Sequence, residues 1–286
     1  MLKKILVIGA TGRVGSELVI LLTRKGEAVR AATRNPAKAL AKFQNTAEVV
    51  EFDYERPQTF APALAGVDKV FLTVRPGDNH SDKTAMPLVD AAQKAKVQLI
   101  VDLTAMGVEQ DETFMLRILE KYIEASAIPY THLRPNWFMQ NFNSGPMFTD
   151  IKATGALHLP AAEAKISFID LRDIAAVGFT VLTEPGHAGR AYTLTGNESL
   201  SHFQVAAKLS RVAGKEIAYI PIGEDIARVA LVRGGVPADL IERWTDFYRR
   251  VRQGYCAPVL PDVESVLGRS PIPFDQYAND NAASWR

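Results

Sequence analysis

Lys4-Ile5-Leu6-Val7-Ile8-Gly9-Ala10-Thr11-Gly12-Arg13-Val14-Gly15 is an apolar run that breaks into three glycines spaced three residues apart. β-Branched and aliphatic side chains fit the pleated surface of a buried strand, so Lys4 to Ile8 reads as the first strand. From Val14 onward, Val14, Leu18, Leu21 and Leu22 fall on one helical stripe, and Gly26 stands where such a helix stops. Glycines in the turn between them allow positive φ and a close approach of backbone to an anion. The helix start adds free N–H groups and the positive end of its dipole. Gly9, Thr11, Gly12, Val14 and Gly15 are therefore expected to bind the pyrophosphate of a dinucleotide, with Arg13 as a further cofactor-binding residue that adds positive charge nearby. The competing reading is a tight turn that binds nothing.

Outward from this turn, short strands alternate with helical stretches. Strands are expected at 28–32, 47–52, 69–74, 98–103 and 130–133, and helices at about 37–43, 58–64, 83–95 and 114–126. That rhythm makes a doubly wound, parallel α/β sheet of the Rossmann type. Residues 136–164, rich in Asn, Gly, Pro and aromatics, show neither period and are expected to form loop and pocket wall. A strand at 166–169 and a helix at 170–182 follow, and 191–194 is expected to rejoin the sheet. Helices at about 201–213, 224–232, 238–251 and 274–283 predict a smaller, mostly helical C-terminal substrate lobe over 197–286. The dinucleotide-binding domain is expected to cover 1–150, rejoined by about 166–196.

The chain has 286 residues, 47% hydrophobic and 23% charged, with a net charge of +1, which excludes disordered and fibrous classes. A near-zero charge leaves no excess to neutralise a phosphate backbone, so no direct nucleic-acid partner is expected. One cysteine, Cys256, excludes an internal disulfide, and five scattered histidines show no metal-ligand spacing, so no metal is expected. The apolar run near Met1 is too short for a signal sequence, and no window approaches a membrane helix. A cytoplasmic protein without a membrane partner, monomeric or homodimeric, is the expectation.

The G-x-x-G-x-x-G spacing resembles the short-chain dehydrogenase superfamily, particularly its extended and atypical branches. Where NAD-specific sites place an acid after the second strand, this chain reads Thr33-Arg34-Asn35-Pro36. Arg34 offers a planar donor fork for a 2′-phosphate, so NADP(H) is expected over NAD(H); a solvated surface arginine is the alternative. Asp53 is placed at the adenine rim, or else it caps a turn. Thr73 and Val74, closing the fourth strand, complete the cofactor candidates. An ordinary member would carry Tyr-x-x-x-Lys after the fifth strand, the lysine helping the tyrosine donate a proton. Lys121 sits on that helix, but Arg117 stands four residues earlier. Thr104, just past the fifth strand, supplies a hydroxyl where the superfamily keeps one beside the substrate, or simply caps a turn.

Glu120-Lys121-Tyr122-Ile123-Glu124-Ala125-Ser126, followed by Tyr130 to Phe142 with its Arg134-Pro135-Asn136-Trp137-Phe138-Met139-Gln140-Asn141 core, is similar to the NmrA-like atypical short-chain family. The resemblance continues through Asp170 to Ala175 and Tyr192 to Gly196, covering most of the chain. It implies an NADP(H)-binding fold, with Lys121 at the nicotinamide ribose and Pro135 beside the nicotinamide; Lys121 and Thr104 are the catalytic candidates. The family includes quinone, triphenylmethane and ergot-alkaloid reductases as well as cofactor-sensing regulators. Without the tyrosine, the alkoxide formed from a simple ketone would lack its proton donor. A quinone, dye or iminium acceptor needs less help. Asn136, Trp137, Phe138, Asn141 and Phe142 are the substrate candidates, for a flat aromatic molecule. The expected function is an NADPH-dependent reductase of a planar conjugated electrophile, quinone foremost, and the alternative is a non-catalytic NADP(H)-sensing regulator.

Overall fold

A computed structural model describes residues 3–75 and 80–286. In chain order the elements are β1 (Lys4–Ile8), α1 (Arg13–Arg24), β2 (Ala28–Thr33), α2 (Pro36–Phe43), β3 (Glu48–Glu51), α3 (Phe60–Leu64), β4 (Lys69–Thr73), α4 (Ser81–Lys94), β5 (Leu99–Leu103), α5 (Met115–Ala125) and β6 (Tyr130–Pro135). There follow α6 (Pro146–Thr154), β7 (Ala156–Leu159), β8 (Lys165–Ile166), α7 (Leu171–Thr183), β9 (Arg190–Leu194), β10 (Leu200–Ser201), α8 (His202–Ala213) and β11 (Ala218–Pro221). The chain closes with α9 (Glu224–Arg233), α10 (Ala238–Arg252), α11 (Asp262–Leu267) and α12 (Phe274–Asp280). No helix among the described residues is long and apolar enough to cross a membrane.

The chain divides into two compact units. The first comprises Met1–Pro135, Leu171–Leu194 and Ser265–Gly268, the second Asn136–Asp170, Thr195–Glu264 and Arg269–Arg286. Its first crossing, after Pro135, comes 15 residues before the expected boundary at 150.

In the first unit, seven parallel strands run in the order β3-β2-β1-β4-β5-β6-β9. This is the doubly wound α/β architecture. Ile5 to Ile8 are buried, as befits a strand covered on both faces. α1 buries Val14, Leu18, Val19 and Leu22 on one side. Strand order reverses between β1 and β4, and ligands in such sheets bind at the carboxyl ends of the strands around that reversal.

The second unit has its own core, in which Phe142, Phe168, Phe274, Tyr277 and Trp285 are all less than 2% exposed. α8 opens on a reciprocal capping box between Ser201 and Gln204. Residues 136–164 are not the loop expected from their composition. They hold a 3-10 turn (Met139–Phe142), α6 and β7. Gly145 and Pro146 open α6, and Gly155 at φ 73° closes it. Of the strand expected at 166–169 only Lys165–Ile166 forms, paired antiparallel with β10, and β7 pairs with β11.

Candidate functional site

The turn after β1 demands glycine at positions 9 and 15. Gly9 takes φ +68°, and a Cβ there would stand 2.7 Å from the Thr73 methyl. A Cβ on Gly15 would stand 2.3 Å from the Gly9 carbonyl oxygen. The Gly12 N–H donates to that same carbonyl at 2.8 Å, folding the turn tightly under the helix start. α1 then begins with no side-chain cap and no acidic residue in its first turn. The N–H groups of Val14 and Gly15 have no carbonyl one turn back within the helix, which is the donor set an anion needs. These features fit a dinucleotide pyrophosphate.

Around the turn, the Thr11 and Thr33 hydroxyls pair at 3.2 Å, and Thr33 Oγ1 also accepts the Asn35 N–H at 3.2 Å. Arg13 and Arg34 are exposed, and Arg34 has no ion pair or hydrogen bond among the described residues. Val14 is buried, so only its backbone is available to a ligand. Asp53 is ion-paired with Arg75 at 2.6 Å and accepts the Glu55 N–H at 3.2 Å. Turn capping is therefore what the structure displays for Asp53. Thr73 ends β4 with its carbonyl accepting the Tyr54 hydroxyl at 3.0 Å, and Val74 is half-buried beyond it.

Past β5 lies a buried polar network. Thr104 Oγ1 donates to Glu120 at 2.8 Å, and Arg134 grips the same carboxylate at two points, 3.0 and 2.7 Å. Arg117 bridges Glu120 and Glu124 at 3.0 and 2.7 Å, while His132 Nδ1 meets Asp102 at 2.5 Å. Burial pushes the Glu120 carboxyl up, but Arg134, His132 and Thr104 together hold it below the usual carboxylate range. Burial pushes the His132 imidazole down, but Asp102 and Glu120 outweigh it and raise it above its ordinary value. Asp102, Glu120 and His132 converge closely enough to ligate an ion. Two guanidinium groups already supply the positive charge there, so the cluster reads as an ion-pair network. The scattered histidines, His132 among them, show no metal-ligand spacing in the sequence, and neither Asp102 nor Glu120 stands out there as a partner for it.

Lys121 does not share this burial. Its side chain is 53% exposed and pairs with Glu112. Of the substrate candidates, Asn136 and Phe142 are withdrawn. The Asn136 amide donates to Ser167 Oγ and the Cys256 carbonyl at 2.8 and 2.9 Å and accepts from the Trp137 N–H, so both its donors are used, and the residue is buried. Phe142 is fully buried, at 5.1 Å from the Phe168 ring. Trp137, Phe138 and Asn141 remain half-buried, and Phe138 forms a parallel bridge with Ile169. Thus Gly9 through Pro135 assemble within the first unit, and residues 136–142 belong to the second.

The model of the NmrA-like family matches residues 1–249. The chain belongs to the NmrA-like family. An NAD(P)H azoreductase of Xenophilus azovorans is 35% identical over 286 residues, covering 98% of this chain and 99% of its own. The solved triphenylmethane reductase of Citrobacter sp., complexed with NADP(H), is 26% identical at a TM-score of 0.82, covering 98% of this chain and 99% of its own. An NADPH-dependent quinone oxidoreductase of Escherichia coli, complexed with NADPH, is 26% identical at 0.84, covering 96% and 99%.

Proposed function

We propose that this chain is an NADPH-dependent reductase that passes hydride to a planar, conjugated electrophile, with quinones as the foremost substrate class. The observation that carries the reading is the uncapped, acid-free start of α1 behind its glycine turn. Exposed Arg34 follows the neighbouring strand, and no acid stands at that position. The backbone N–H groups of Val14 and Gly15 would hold the pyrophosphate, and the Arg34 fork would hold a 2′-phosphate. Once bound, a reduced nicotinamide supplies the hydride.

The protein's own task is then to orient. Thr104, fixed by Glu120 at the end of β5, and Pro135, the last residue of β6, would frame the reacting end. Lys121 would reach the ribose, since its exposed pair with Glu112 is weak enough to exchange. Arg117 stands where a proton-donating tyrosine is usual, which favours acceptors that do not need a proton delivered at the moment of reduction. The names of the triphenylmethane reductase and the quinone oxidoreductase denote acceptors of this kind, whereas the azo group named by the azoreductase takes up a proton as it is reduced.

The test is NADPH oxidation by purified protein with menadione, an azo dye and a triarylmethane dye. Turnover with at least one is expected. Tight nucleotide binding with no reduction of any acceptor would overturn the reductase and favour a nucleotide sensor.

A further inference from the structure

A surface helix ordinarily buries its apolar stripe and leaves its charges to water. α9, in the second unit, does the reverse. None of its residues is buried, and Ile226, Val229 and Val232 are 61%, 48% and 63% exposed. Its polar side is the one that holds it to the protein. Arg228 donates to Glu242 and to the Thr245 hydroxyl of α10 at 3.0 and 3.2 Å, and Glu224 accepts from Arg249 and Arg252 of α10 at 2.5 and 2.9 Å. Glu224 and Arg228, four residues apart, share one face of the helix. Ile226, Val229 and Val232, at intervals of three, run along another.

Apolar side chains exposed singly are ordinary, but a contiguous exposed row marks a surface that something covers. The row is symmetrical about Val229. Ile226 and Val232 stand three residues to either side of it, and Asp225 and Arg233 stand four. Asp225 and Arg233 are both exposed and opposite in charge, and the side chain of neither makes an ion pair or hydrogen bond among the described residues. Laid antiparallel on a copy of itself, with a two-fold axis at Val229, α9 brings Ile226 level with Val232 of the second copy. Asp225 then comes level with Arg233 of the second copy, and the same pairs recur at the other end. A two-fold contact must match its own surface in this way. The two Asp225 carboxylates lie eight residue rises apart, about 12 Å, so each charge stands nearer to its opposite than to its like.

We propose that α9 is the docking face for a second copy of this chain, the two helices packing antiparallel about Val229. Ile220 of β11 and Trp244 of α10, 44% and 40% exposed, add apolar surface on the elements that precede and follow α9 in the chain. The helix pair alone has a footprint about 15 Å long and 10 Å wide, small beside the roughly 800 Å² per partner of a standard interface. The dimer is therefore a weak one that forms as concentration rises. A lipid surface is the competing occupant. Helices that lie on membranes carry a polar face rich in Lys and Arg, whereas α9 has two arginines against two acids, and Arg228 is already engaged by Glu242.

Sedimentation equilibrium of the full chain, from about 1 µM to about 0.3 mM, should show monomer giving way to dimer. Val229→Asp sets two carboxylates against each other at the axis and should weaken association by at least about tenfold. Charge reversal tests the register. Asp225→Arg places arginines level at both ends and Arg233→Asp places acids level at both ends, so each alone should lose at least about tenfold in affinity. An equal mixture of those two variants restores every opposite pairing and should associate within about threefold of wild type. A wild type that stays monomeric throughout would overturn the proposal, as would a dimer unchanged by Val229→Asp and by both charge reversals. Failure of the mixture to recover what each reversal had lost would overturn the antiparallel pairing. A monomer that binds phosphatidylcholine and phosphatidylglycerol vesicles, and ceases to as Val229→Asp, would give the face to a lipid surface instead. Mass is read without nucleotide or acceptor, so the result is independent of whether the chain is a reductase.

Discussion

Gly15→Ala separates two physical effects at one position. Gly15 is a helical residue in the first turn of α1, and propensity alone predicts that alanine there stabilises by up to about 1 kcal/mol. The structure predicts the opposite. The new Cβ would stand 2.3 Å from the Gly9 oxygen, 2.9 Å from its carbon and 3.2 Å from the Ala10 Cα, all backbone atoms that cannot rotate away. Relief requires a shift of about 1 Å between turn and helix, and overpacking of this kind typically costs about 1–3 kcal/mol. The same shift displaces the N–H groups proposed to hold the pyrophosphate. Gly178→Ala is the matched control. Its Cβ would meet Phe71 and Leu18 at 3.5 and 3.6 Å, ordinary contacts, inside α7 where alanine is the better helix former. Urea unfolding should show Gly15→Ala destabilised and Gly178→Ala neutral or more stable, and calorimetry should show NADPH affinity reduced at least tenfold only in the former. A Gly15→Ala protein as stable as wild type with unchanged NADPH affinity would refute the close-approach reasoning.

Arg34→Asp should weaken NADPH binding by at least tenfold and leave NADH binding within about threefold; equal losses would remove Arg34 from the 2′-phosphate. His202 is fully buried among Phe142, Phe168 and Tyr219, and neither ring nitrogen has a hydrogen-bond partner among the described residues. Burial pushes its imidazole down to about 4 from 6.5. The unfolded chain therefore binds the extra proton between those values, so stability is full above about pH 6.5 and falls by about 3 kcal/mol toward pH 4. His202→Phe should flatten that acid limb in pH-dependent urea melts, and an unchanged limb would exclude His202 as its source. The Cys256 thiol is 2% exposed and pushed up to about 12 by burial, so a disulfide reagent should label no thiol in the native protein and one after denaturation. Rapid native labelling would contradict the burial.

The parts of this fold that announce themselves in the chain are local. The glycine spacing, the buried β-branched runs and the helical stripe from Val14 all act within a few residues, and each survives in the structure. α6 was missed because nine residues carry too weak a period, although Pro146 and Gly155 bracket it. The buried network was hidden for another reason. Asp102, Glu120 and His132 lie on β5, α5 and β6, and only the register that pairs Asp102 with His132 brings them together. Phe142 looked like a pocket residue because an aromatic in an unpatterned stretch gives no sign of which core it enters. α9 reads as an ordinary amphipathic helix, and only the pairing of Arg228 with Glu242 shows that its polar side is the one turned inward.

The return of the chain to its sheet has a consequence for biosynthesis. α7 and β9 belong to the first unit yet are synthesised only after residues 136–170. Until Leu194 has left the ribosome, β6 is a bare edge strand, and the side of α1 that α7 covers is uncovered. No single cut therefore yields a self-sufficient fragment. A chain stopped at residue 150 keeps the entire glycine turn but leaves that edge unprotected, and it should emerge as aggregate.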